Sequence, residues 1–151
     1  MTPQELWNQY QQIRPSIGDE IDAWAFGAEP DLLADLVVKG IKTATASAYD
    51  EHIFYDEPLG DVGALSIILD GQENAVCIIE TTKVTVLPFK DVSEQHAFKE
   101  GEGDRSLAYW RQIHEELFTK WLTEIGLSFG PESKVVLEEF RVVYKPSKKI
   151  L

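Results

Sequence analysis

Apolar residues recur at helical spacing in four stretches of the chain and crowd into strand-like runs in four others. Leu6, Trp7, Tyr10 and Ile13 form the first helical stripe, which Pro15 ends. Thr2-Pro3-Gln4-Glu5 ahead of it reads as a capping box with proline at the first helical position. Residues 16–30 read as a loop carrying Trp24-Ala25-Phe26-Gly27. A second helix, Asp31 to Lys39, places Leu32, Leu33, Leu36 and Val37 on its apolar face. Gly40 supplies the left-handed residue that closes it. Thr43 to Tyr49 follows as a strand, and Asp50 to Pro58 as an acidic, aromatic loop. Leu65 to Leu69 and Ala75 to Leu87 read as strands joined in a hairpin around Asp70-Gly71. Ser93 caps a short helix with His96, Ala97 and Phe98, and Glu100 to Asp104 breaks the pattern. The longest helix then runs from about residue 105 to 125, with Leu107, Trp110, His114, Leu117, Phe118, Trp121 and Ile125 on its buried stripe and Gly126 after it. Lys134 to Tyr144 is the last strand. With no repeat and no linker, residues 1–151 are expected to form a single α+β domain.

Charge narrows the range of partners. The chain has 14 basic against 26 acidic residues, a net charge of −12. Affinity for nucleic acid rests on neutralising phosphates, so tight nonspecific binding and a DNA partner are not expected. Lys145, Lys148 and Lys149 gather in a basic tail, residues 145–151, expected to be disordered. Cys77 lies in Val76-Cys77-Ile78-Ile79 and reads as a buried small hydrophobe. No apolar run reaches the length of a membrane span, and the N-terminal residues lack the pattern of a secretory signal, so the expected location is cytoplasmic.

The familiar catalytic motifs are missing. His52, His96 and His114 have no close ligand spacing, and His114 falls on an apolar stripe, so no metal and no cofactor is expected. Gly101-Glu102-Gly103 carries acids where a phosphate cradle wants none. What remains is Gly40-Ile41-Lys42-Thr43-Ala44-Thr45-Ala46-Ser47, a single cation among hydroxyls. A lysine beside a hydroxyl is a base beside a nucleophile, or a solvated lysine at a strand edge. Side chains of a strand alternate, so Lys42 and Thr45 converge only if Lys42 belongs to the turn after Gly40 or a bulge intervenes. Glu102 and Asp104 read as complements to the dipole of the long helix, whereas Glu100, on a glycine-flanked turn, is free to reach a pocket.

Gly40-x-Lys42-x-x-Thr45 resembles the signature of the ASCH domain, a PUA-like family, and His96-Ala97-x-x-Glu100-Gly101-Glu102-Gly103-Asp104 with Trp110-Arg111 and His114 is similar to its second motif. Trp24-x-Phe26-Gly27 looks like the longer bacterial branch. The resemblance implies a small mixed β-barrel flanked by helices and a nucleoside-sized pocket. One bacterial group of the family resembles an acetylcytidine amidohydrolase, whose lysine, threonine and glutamate fall on Lys42, Thr45 and Glu100. In that reading Thr45 attacks the acyl carbon, Lys42 serves as base or electrostatic stabiliser, and Glu100 passes a proton to the leaving amine. Trp24, Phe26, Thr43 and Ser47 are the expected substrate contacts. The expected ligand is an acylated pyrimidine nucleoside or a related small amide. The alternative is a non-catalytic module that binds a nucleotide or a short RNA. Ser47 stands where the family motif often has arginine, which removes a fixed cation from the site.

Overall fold

In the computed structural model, which describes residues 1–15 and 21–146, the chain runs α1 (Pro3–Ile13), β1 (Asp22–Ala25), α2 (Pro30–Val38), β2 (Ala44–Ala48), α3 (Tyr49–Phe54), β3 (Leu65–Leu69), β4 (Ala75–Pro88), a 3-10 turn (Phe89–Asp91), α4 (Glu94–Glu100), α5 (Leu107–Glu124) and β5 (Lys134–Tyr144). The strands form one sheet in the order β1-β3-β4-β5-β2. Only β1 and β3 are parallel, with Trp24 opposite Ile68. Strands β4 and β5 form the long antiparallel spine, and register shifts at Ile78/Ile79 and Thr81/Lys83 bend it. The bend curls the sheet into a half-barrel whose edge strands, β1 and β2, are not paired with each other. The expected α+β fold is present, as a mixed sheet curled but open along one seam.

Three apolar clusters hold the helices to this sheet. Trp110, Phe118 and Leu122 of α5 pack on Ala48, Val135 and Leu137. Leu33, Ala34 and Val37 of α2 pack on Phe26, Ile68, Cys77 and Phe140. Leu6, Trp7 and Tyr10 of α1 pack on Ile67, Ala75 and Ile78. Cys77 is fully buried, and burial pushes its thiol up to about 12. Leu122, absent from the expected stripe, is also fully buried, while Leu117, Trp121 and Ile125 are half-buried.

Caps fall where the sequence places them. Thr2 Oγ1 accepts from Glu5 N–H, Ser93 Oγ from His96 N–H and Ser106 Oγ from Tyr109 N–H. Gly40 takes φ +77° and Gly126 φ +81°.

Two expected loops are regular structure. The segment read as a loop over 16–30 contains β1, whose four residues include only one that is half-buried, Trp24. The stretch Asp50 to Pro58 begins inside α3, a helix with no buried residue. Neither has an apolar period to announce it. Residues 16–20 of the expected loop, and 147–151 of the expected tail, lie outside the described residues.

Candidate functional site

Lys42 leaves the turn, not the strand. Gly40 N–H donates to Val37 O, and the amides of Ile41 and Lys42 both donate to Leu36 O, so the chain wraps the end of α2 before β2 begins at Ala44. Thr43 N–H and Oγ1 then reach Lys99 O at 2.7 and 3.4 Å, which ties the turn to α4. Gly101 makes that approach possible. Its φ is +74°, and a Cβ there would stand 2.6 Å from Ile41 O. Arg105 braces the same junction, donating to Phe98 O at 3.1 Å and Ile41 O at 3.4 Å.

This packing drives Lys42 into the interior, where it is 1% exposed. Its Nζ donates to Glu100 Oε1 at 3.2 Å, Glu102 Oε2 at 2.9 Å and Glu100 O at 3.4 Å. Glu100, also 1% exposed, is the last residue of α4 and not part of a turn. Its Oε2 meets His96 Nε2 at 2.7 Å and accepts from Trp110 Nε1–H, while His114 Nε2 lies 3.4 Å from Oε1. Burial pushes the Glu100 carboxyl up, but the Lys42 charge and the hydrogen bonds from His114 and His96 outweigh it and hold it well below the usual carboxylate range. Burial pulls His114 down, yet its hydrogen bond to Glu100 and that carboxylate's charge leave it raised. Glu102 is half-buried on Lys42 instead of serving the dipole of α5; Asp104 accepts from Ser106 N–H ahead of that helix.

Glu100, Glu102 and His114 have ligand atoms within 4.8 Å of one another, close enough to hold a cation. The Lys42 ammonium already sits on both carboxylates. Its Nζ has three acceptors within reach, two from Glu100 and one from Glu102, enough to engage all three of its protons.

A cavity of about 460 Å³ opens in the seam between the two edge strands. Its wall includes Trp24 and Phe26 on one side, Thr45 and Ser47 on the other, and Trp121 of α5. Trp24 and Phe26 meet edge to face at 5.0 Å. Thr45 and Ser47 are two residues apart on one strand and so share a face. Ser47 Oγ is 2.8 Å from His52 Nε2. The carboxylates of Asp22, Glu51, Glu57 and Glu138 also line the cavity, and among the described residues no Lys or Arg does. Burial raises the carboxyls of Glu51 and Glu138, against the lowering charge of His52.

The expected site residues therefore fall into two groups. Trp24, Phe26, Thr45 and Ser47 line the cavity. Lys42 and Glu100 meet each other behind it, with Phe26 between: its ring centroid is 5.4 Å from Lys42 Nζ. Thr43 is occupied by Lys99 O. His52, Glu51, Glu138 and Trp121 were not singled out as site residues by the sequence. The one sequence signal for the pair is that His52 follows Ser47 by five positions; what brings them together, a strand that passes directly into a helix, has no period to announce it.

A family model for the ASCH domain matches residues 22–144. An ASCH domain structure from Lactobacillus crispatus superposes with a TM-score of 0.85 at 32% identity over 93% of each chain. A protein of Enterococcus faecalis gives the same TM-score at 35% identity, over 93% of this chain and 86% of that one. The hypothetical protein PH0355 shares the fold at 15% identity, with a TM-score of 0.54 over 80% of this chain and 99% of its own. No curated protein matches. From the turn that buries Lys42 to the glycine-flanked acids that receive it, this chain belongs to the ASCH domain family.

Proposed function

We propose that the seam cavity binds an unphosphorylated, nucleoside-sized molecule and that the protein hydrolyses an acyl amide on it. The carrying observation is the lining: aromatic faces from Trp24 and Trp121, hydroxyls from Thr45 and Ser47, four carboxylates, and no lysine or arginine among the described residues. The volume, about 460 Å³, falls in the range of small-molecule sites. Aromatic walls suit a planar base, and carboxylates accept hydrogen bonds from ring amines and sugar hydroxyls. A phosphate would enter against four carboxylates with no lysine or arginine among the described residues of the lining to meet it, which also disfavours the RNA-binding alternative. The nucleophile is a hydroxyl of β2, and the Lys42 charge, one ring away, acts as an electrostatic element rather than as base.

Calorimetric titration with cytidine and cytidine 5′-monophosphate, alongside chromatographic assay of N4-acetylcytidine, tests this reading. Cytidine should bind at least about tenfold more tightly than its monophosphate, and acetate should be released. Tighter binding of the phosphorylated form, or of a short RNA, overturns it, as does failure of any nucleoside to bind.

A further inference from the structure

We propose that Ser47 and His52 are a nucleophile and its general base, a catalytic pair within the seam cavity. The inference rests on the acyl-hydrolase reading above and assigns its chemistry to atoms.

The local fold makes the pair. Strand β2 ends at Ala48 and α3 begins at Tyr49, so no loop separates them. Ser47, the last outward-facing residue of the strand, is therefore one turn of helix away from His52. Their 2.8 Å contact joins Ser47 Oγ to Nε2, and both side chains line the cavity. The far nitrogen, His52 Nδ1, is buried without a hydrogen-bond partner, as is Glu51 Oε1 beside it. A polar pair held only for stability is ordinarily satisfied at both ends. With Nε2 accepting from Ser47 Oγ–H, Nδ1 carries the ring proton, a donor left for a bound molecule to meet, in a cavity that Glu51, Glu57 and Glu138 line with carboxylates able to face the imidazolium that would form.

The rival hydroxyl is less well equipped. Thr45 shares the face, but among the described residues it has no hydrogen-bonded base, and the protons of Lys42 are committed to Glu100 and Glu102.

The chemistry balances without a cofactor. Ser47 Oγ bonds to the acyl carbon as its proton passes to His52 Nε2. Collapse of the tetrahedral adduct breaks the C–N bond, and His52 returns the proton to the departing amine. Water then attacks the acyl-serine, giving its proton to His52, and the carboxylic acid leaves as Ser47 Oγ is reprotonated. One amide and one water yield one acid and one amine.

The test uses full-length protein, Ser47→Ala and His52→Gln, with three readouts. Diisopropyl fluorophosphate is the trapping probe, its adduct located by fragmentation mass spectrometry. N4-acetylcytidine turnover reports the reaction, and cytidine calorimetry reports the pocket. The expected adduct is on Ser47, absent in Ser47→Ala and formed about 100-fold or more slowly in His52→Gln. Turnover should fall by a similar factor in both variants while cytidine still binds. An adduct on Thr45, no adduct at all, or undiminished turnover in Ser47→Ala overturns the pair. An adduct on Ser47 in a protein that ignores cytidine upholds the pair and overturns the nucleoside reading instead.

Discussion

Replacing Glu100 by glutamine tests the buried charge cluster most directly. The carboxylate receives four donors: Lys42 Nζ and His114 on Oε1, His96 and Trp110 on Oε2. A glutamine side chain offers one oxygen and one NH2, so one pair of donors must face hydrogens whichever way the amide turns. Each orphaned buried donor costs about 1–3 kcal/mol. Lys42 keeps Glu102 but loses its fully buried counter-ion. Together these give a loss of about 3–5 kcal/mol, the range for breaking a buried pair. For a domain of this size that is a fall in Tm of about 6–20 °C.

The pH dependence supplies a second, sharper signature. Glu100 is lowered on folding, so its contribution is complete above its ordinary value of 4.5 and is lost as pH falls through the folded value. His114 is raised on folding, so its contribution is complete below 6.5 and is lost as pH rises through the folded value. Urea unfolding of wild type and Glu100→Gln, followed by tryptophan fluorescence from about pH 3 to pH 9, should show both limbs flattened in the variant. A variant within about 1 kcal/mol of wild type, or one with unchanged limbs, refutes the account of a carboxylate that organises its surroundings.

Three other substitutions follow from the same geometry. Gly101→Ala should cost about 2–4 kcal/mol by equilibrium unfolding, because it combines φ +74° with a Cβ 2.6 Å from Ile41 O. Phe118→Ala should cost about 3–5 kcal/mol in the same assay, since the ring is 1% exposed beneath α5. Glu138→Gln should raise the unfolding free energy at neutral pH by up to about 1 kcal/mol, read as a higher urea midpoint, because a carboxyl raised on folding costs stability as pH rises above 4.5. The same change should weaken cytidine binding measured by calorimetry.

What the sequence disclosed depends on how local each signal is. That Lys42 had to leave strand alternation to share a cavity with Thr45 was legible from a glycine and a two-residue period, but its burial on Glu100, apart from the cavity that Thr45 lines, was not. The reach of Glu100 was legible, but its element was not. Gly101 marks the left-handed cap of α4, so the acid before it is the end of a helix and not a point on a turn. Strand β1 was invisible because four residues with one half-buried side chain have no period, and parallel pairing to β3 is a tertiary fact. Helix α3 hid for the same reason, and His52 was hidden with it.

The two polar groups on either side of Phe26 are built on opposite terms. Around Glu100 every donor has an acceptor, and such a saturated network fixes geometry in a low-dielectric interior. Around Ser47 the bookkeeping is left open: His52 Nδ1 and Glu51 Oε1 lack partners, and Glu51 and Glu138 are raised by burial. Perturbed titration is common to both clusters, but unmet hydrogen-bonding capacity is found on the Ser47 side, and a ligand must find something unsatisfied to meet. The turn at Lys42 connects the two, because the tie that buries the lysine against α4 also sets where β2 begins. Two residues into that strand stand Thr45 and then Ser47. On the proposed function, the lysine cluster would be a positioning device for the hydroxyl face of β2, and the chemistry would belong to the open side of Phe26.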